Sequence, residues 1–155
     1  MVLDAFQAGL SWRTMIAKRE NFRLAFDGFD FNRIAGYDEK KFAGLMADAG
    51  IVRNRLKIEA TITNAQSYIK LIEKEGSFDS FLWSFVDGKP IVNHFKTLKE
   101  IPASTPLSDR ISRELKSRGF RFVGTTIIYA FIQAAGLVND HLTDCFRHLE
   151  VQRYD

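Results

Sequence analysis

Residues Lys116 to His141 read KSRGFRFVGTTIIYAFIQAAGLVNDH. Just upstream, Leu107, Ile111 and Leu115 recur one helical turn apart, while Arg110, Arg113 and Lys116 fall elsewhere on the wheel. Downstream, Thr125 to Ala135 is an apolar run of helical length. The spacing predicts helices over Ser108 to Ser117 and Thr125 to Ala135, joined by a short turn carrying Gly119, Phe120, Arg121, Phe122, Val123 and Gly124. Two glycines in so short a turn let main chain come close to a ligand. The first turn of the second helix leaves N–H groups without intrahelical acceptors, and that end of a helix attracts anions. Basic residues flank the turn. Such an arrangement suits gripping a phosphate of a DNA strand without reading its sequence.

The charge distribution agrees. The net charge is only +3, so the chain is no polycation. Residues 89 to 121, however, hold eight Lys/Arg against three Asp/Glu, whereas residues 1 to 88 balance at twelve each. The positive excess therefore lies in and before the glycine turn, as expected of a face that meets a polyanion. For a charge cluster alone, a solvated helix face is the better account.

Working outward, helical patterning continues through most of the 155 residues, and the expectation is one all-α domain over residues 1 to 155. Hydrophobic residues make up 46%, enough for a real core. Met1 to Lys18 reads as one helix and Asn21 to Phe26 as a second, short one. Asp38 is placed to cap a helix over Glu39 to Ala47 that Gly50 stops. Asn54 to Lys74 is the longest, with Ile58, Ile62, Ala65, Ile69 and Ile72 on one stripe and Gly76 at its end. Ser77 to Phe85 is a short aromatic helix, Asp87-Gly88 a turn, and the one hint of extended chain is Pro90 to Val92. No apolar run is long enough to span a bilayer, no signal peptide is visible, and the single Cys145 fits a reducing compartment. A cytoplasmic, bacterial-type location is expected.

Four strings carry a further signal: FQAGLSW (Phe6 to Trp12), AGIVRNRLKI (Ala49 to Ile58), FLWSFVDGKP (Phe81 to Pro90) and RGFRFVGTTIIYAFIQAAGLVNDH (Arg118 to His141). In this order, and over nearly the whole chain, they resemble the DNA-3-methyladenine glycosylase I family of the helix-hairpin-helix DNA glycosylase superfamily. The resemblance implies an enzyme that swings 3-methyladenine out of alkylated DNA into a pocket between two helical lobes and hydrolyses its N-glycosidic bond. The chemistry asks little of the protein. The methylated purine is cationic and already a good leaving group, so the site need mainly extract it, stack on it and supply anionic stabilisation.

By the same resemblance, Trp12 stacks on the extruded base, for which indole is the best ring. Asp4 stands where the family has an acidic residue, commonly Glu, and is implied to be the catalytic carboxylate and to bond the exocyclic amine and N7 side of the base. Gln7 belongs to the same substrate-binding string, and Leu10 either fills the gap left by the flipped nucleotide or packs in the core. The eight-residue separation of Asp4 and Trp12, read on one continuous helix, brings both to one face. Arg118, Gly119, Arg121, Val123, Gly124 and Thr125 form the phosphate-gripping hairpin, with Phe120 and Phe122 as packing pegs and Tyr129 facing either the pocket or the core.

Family members bind structural zinc through a C-terminal His and Cys, matched here by His141 and Cys145, plus two ligands from an N-terminal segment. That segment is missing before MVLDAFQAGLSW, and Met1 reads like an internal helix residue, so a shortened form of a longer chain is expected. Two ligands do not make a stable zinc site. His148 offers a third donor, and a bare pair is the other expectation. The partner implied is double-stranded alkylated DNA, met by a monomer. A lysine nucleophile for strand cleavage is absent from Thr125 to Ala135, so no β-lyase step is expected. The rivals are a non-catalytic DNA- or lesion-binding helix-hairpin-helix module and a helical partner-binding protein, neither of which needs a carboxylate and an indole together.

Overall fold

The structure, a computed structural model, describes residues 1–7 and 9–153. The helices are α1 (Val2–Gln7), α2 (Trp12–Ala25), α3 (Phe31–Ala35), α4 (Glu39–Ala47), α5 (Arg55–Glu75), α6 (Phe78–Trp83), α7 (Pro106–Ser117), α8 (Thr125–Ala134) and α9 (Phe146–Glu150). A minimal parallel pair, β1 (Ile91–Val92) and β2 (Val138–Asn139), ties the loop after α6 to the end of α8. No helix among the described residues is long and apolar enough to cross a membrane.

Two cores divide the molecule. In one, Phe6, Met15, Phe22, Phe26, Ile34, Leu45, Ile51 and Ile58 come from α1 to α5. Phe6 meets Phe22 edge-on at 4.7 Å between centroids, and Phe22 stacks on Phe26 at 6.0 Å. Such pairs contribute about 0.5–1.5 kcal/mol each beyond the area they bury. In the other, Leu71, Phe81, Leu82, Ile111, Leu115, Phe120, Val123, Ile128, Ile132 and Leu137 come from α5 to α8 and the segment after it. Helix α5 serves both: Ile58 and Ala65 enter the first core, Leu71 the second. Its start is capped by Asn54, whose side chain accepts from Lys57 N, and its end by Gly76 at φ 83°. The expected cap of α4 by Asp38 is present, as is the Asp87-Gly88 turn with both residues at positive φ.

The structure corrects the reading of the N-terminal third. Met1 to Lys18 is not one helix. Gly9 takes φ +80°, a left-handed conformation that ends α1, and Ser11 then caps α2 through a 3.2 Å bond from Thr14 N. Nor is Asn21 to Phe26 separate: no breaker lies between Lys18 and Asn21, and Met15 and Phe22 sit two turns apart on the buried stripe of a continuous α2. The short α3 and α9 lie outside the expected elements. Asp30 caps α3 by accepting from Asn32 N and Arg33 N, and Cys145 occupies the cap position of α9.

Candidate functional site

Where the two cores meet, a cavity of roughly 580 Å³ opens to the surface. Asp4 of α1 and Trp12 of α2 both line it, although they arrive from two helices across the Gly9–Ser11 break and not from one face of one helix. The Ser11 cap is what starts α2 at Trp12 and holds the indole at the cavity mouth, 48% exposed. The indole belongs to neither core. Much of the remaining wall is aromatic: Phe29, Phe31, Tyr68, Phe78 and Phe131. Their rings pack in sequence, Phe31 on Tyr68 at 4.7 Å and Tyr68 on Phe78 at 5.2 Å. Thr61, Asn64, Ala65 and Tyr68 present one face of α5 to the cavity. That stripe, lying beside the apolar one, was the available signal for the cavity wall.

Asp4 supplies the one acidic side chain of this lining. Its carboxylate is mostly covered. An apolar, ring-walled cavity with a single carboxylate favours a flat cation over its neutral counterpart, because Coulomb attraction grows as water is excluded. Gln7, expected at the site, is the last residue of α1 and does not reach the cavity lining. Leu10 is 40% exposed and belongs to neither core, which rules out the packing alternative. The loop that carries it is anchored from below: the buried Lys57 ammonium donates to Phe6 O at 2.8 Å. Burial pushes the Lys57 pKa down.

The glycine turn projects beside this cavity. Gly119 takes φ +89°, and an added Cβ there would stand 3.0 Å from Ser67 Oγ, so glycine is required both by conformation and by the close approach of α5. Phe122 adopts φ 54°, unusual for a large side chain. Side chains of neighbouring helices hold the turn: Asn64 bonds both main-chain groups of Arg121, and Ser112 Oγ donates to Val123 O at 2.6 Å. Gly124 caps α8 with no side chain, and nothing lies within 4 Å of where its Cβ would stand. The open N-terminus of a ten-residue helix therefore faces unoccupied space.

The hairpin residues divide by what they touch. Arg121 is exposed, and its guanidinium has no partner among the described residues. Arg118 is a correction: its guanidinium is spent internally, on Glu75 at 2.9 Å and Glu114 at 2.8 Å, over the Phe81 ring. The Thr125 hydroxyl bonds Ser108 Oγ at 2.7 Å, which leaves its main chain at the open end of α8. Phe120 is buried as a packing peg, whereas Phe122 is half-buried. Tyr129 belongs to the core: it is 3% exposed and donates to Asp140, which also receives Gln133 and Asn93. Burial first, then the Asp140 carboxylate, raises the Tyr129 pKa and keeps it a donor.

His141 and Cys145 come together, with Nδ1 and Sγ 3.9 Å apart, but not on a helix face. The segment is a turn drawn in by Thr143 N bonding to Phe95 O. His148 is not a third ligand, because Nε2 engages Asn93 O at 2.8 Å and Nδ1 lies 3.3 Å from Gln152 Nε2. Among the described residues no group of three or more His, Cys, Asp or Glu is placed to hold a metal ion. A tetrahedral zinc site needs four donors, and the described residues bring no others to this pair.

An aromatic cavity with one carboxylate, set beside a glycine turn that opens onto a helix N-terminus, gives an all-α protein the shape and polarity that suit a flat cation and a nearby anion. Comparison with known proteins places it further: the methyladenine glycosylase family profile matches residues 1–148, and the chain belongs to that family. It is 50% identical over 143 residues to DNA-3-methyladenine glycosylase 1 of Escherichia coli K12, covering 92% of this chain and 76% of that protein. It is 45% identical over 143 residues to DNA-3-methyladenine glycosylase of Haemophilus influenzae, covering 92% and 77%. Among solved structures, 3-methyladenine DNA glycosylase I of Staphylococcus aureus superposes with a TM-score of 0.90 at 36% identity, covering 94% of this chain and 77% of that one. A tyrosine-to-phenylalanine variant of a 3-methyladenine DNA glycosylase I, solved in complex with 3-methyladenine, gives 0.90 and 36%, covering 94% and 78%.

Proposed function

We propose that the chain is a base-excision repair glycosylase that removes 3-methyladenine from alkylated, double-stranded DNA as a cytoplasmic monomer and a single domain. The observation that carries this is the meeting of Asp4 and Trp12 in one ring-walled cavity, within a family whose members act on this base. The extruded purine lies flat against Trp12 and the aromatic wall, and Asp4 faces its exocyclic amine and N7 edge. Leu10 occupies the gap in the duplex, Arg121 and the main chain from Gly119 to Thr125 hold a phosphate, and binding so far from the reacting bond positions the sugar.

In the reaction the N9–C1′ bond breaks and its electron pair returns to the purine, which leaves neutral. Water bonds to C1′ and gives up one proton. The positive charge passes from the base to the sugar in the transition state, and the Asp4 carboxylate stabilises it across a water-poor cavity. Because the leaving group is already cationic, no acid is needed to protonate it. His141 and Cys145 stand away from this chemistry, and with two donors the purified chain is expected to carry less than one zinc per molecule by elemental analysis.

Trp12→Ala tests the reading. It is expected to lower release of 3-methyladenine from methylated DNA roughly ten- to hundredfold while duplex binding survives. Equal loss of both would count against a base-stacking role.

A further inference from the structure

Asn64 sits on the cavity-facing stripe of α5 and is also the residue that holds the hairpin. Its Oδ1 accepts from Arg121 N at 2.7 Å and its Nδ2 donates to Arg121 O at 2.9 Å, across 57 residues of sequence. A planar amide thus answers both main-chain groups of one residue, as a neighbouring strand would. The residue it clasps precedes Phe122, whose left-handed φ of 54° persists only if the surroundings fix the turn. Ser112 fixes the far side through Val123 O. Of these two supports only Asn64 also forms the cavity wall.

We propose that Asn64 is a positioning residue that sets the register between the phosphate-gripping turn and the base cavity, so that the strand held at Gly119–Thr125 delivers its nucleotide to Trp12 and Asp4. This rests on the cavity and hairpin roles given above. A gripped phosphate fixes where C1′ of the flipped nucleotide stands, and a displacement of about 1 Å at such a distance costs orders of magnitude in reactivity. No other side chain substitutes simply. Aspartate keeps the acceptor for Arg121 N but sets an anion against Arg121 O; leucine and alanine lose both bonds.

The test crosses Asn64→Ala and the isosteric Asn64→Asp with Gly124→Asp, which places a carboxylate in the phosphate position. Excision from methylated duplex DNA gives kcat and KM, and titration with free 3-methyladenine reads the cavity alone. Each Asn64 variant is expected to raise KM for duplex DNA about tenfold, well beyond any change in free-base affinity that follows from its place in the cavity wall. In the Gly124→Asp background the Asn64 effect should nearly vanish, because a turn that no longer grips cannot be out of register. Fully additive losses, a parallel loss of free-base affinity, or an unchanged KM each overturns the proposal. An unchanged KM for Gly124→Asp itself overturns the phosphate grip and the registration with it, whereas a raised KM there and none for Asn64→Ala overturns the registration alone. Should Asn64→Ala prove too unstable to assay, the Asp variant, with the same shape, carries the same expectations.

Discussion

Compare the base cavity with the hairpin turn beside it. The cavity is made of side chains gathered from six helices and a 3-10 turn, six rings and one carboxylate between Asp4 and Phe131. The turn is six consecutive residues that offer mainly main chain, and the arginines at it are divided: Arg118, just before it, faces inward and Arg121, within it, outward. In the function proposed, the cavity selects by shape and charge and so discriminates among bases, whereas the turn meets a group that every nucleotide carries and needs approach and polarity but no discrimination. Recognition and grip are thus separable, and damage to one should be visible without the other.

The largest expected effect is at the cavity. Asp4→Asn retains size and removes charge; it should lower kcat for 3-methyladenine excision roughly hundred- to thousandfold, with KM for duplex DNA little changed. A matching rise in KM would mean that the two regions are not separable. Next comes Gly124→Asp at the turn. No strain opposes it, since φ is −60° and no atom lies within 4 Å of the new Cβ. Aspartate also suits a helix N-cap, so Tm should hold or rise slightly. Duplex binding should nonetheless weaken roughly tenfold to hundredfold, as a phosphate loses charge-assisted bonds and meets a like charge. A stabler protein with poorer DNA affinity is an outcome that mere misfolding cannot mimic.

Gly119→Ala is expected to act on the fold. Positive φ and the 3.0 Å approach to Ser67 Oγ should cost about 1–2 kcal/mol, read as a fall of several degrees in Tm. An unchanged Tm would show that the turn relaxes at no cost. The smallest effect concerns pH. The Tyr37 hydroxyl, then Lys41, hold the Asp27 carboxyl below its ordinary value. A depressed folded pKa contributes stability above the unfolded value, near about 3.9, and loses it as pH falls through the folded one. Asp27→Asn should therefore lower stability slightly at neutral pH and flatten its decline in acid. Equal acid sensitivity in denaturant melts of the two proteins would remove Asp27 from the account.

The same contrast governs how much of the molecule is legible in sequence. The hairpin reads directly, because its determinants are local: two helical stripes and a six-residue turn with a glycine at each end. The location of Asp4 and Trp12 at a shared site also reads correctly, but for the wrong geometric reason. Gly9 followed by Ser11 is a stop and a start within three residues, and the apolar run around them hides both. Beyond Tyr68 on its α5 stripe, the aromatic wall was not legible. Phe29, Phe31, Tyr68, Phe78 and Phe131 are spread over much of the chain, and nothing local distinguishes a phenylalanine facing a cavity from one filling a core. Arg118 fails in the opposite direction. Its position beside a glycine turn suggests a phosphate ligand, yet Glu75, brought in by the end of α5, claims it. A partner so distant in sequence cannot be weighed before the fold is known.

Helix α5 belongs to both hydrophobic cores and also carries Asn64 and Tyr68. Neither half of the molecule can therefore be excised as an autonomous piece, since any cut leaves one fragment without its central strut. Heat should accordingly melt the chain in a single calorimetric step, and evolution, tinkering with loops at either end, inherits a fixed span between the jaw that holds the strand and the chamber that receives its damaged letter.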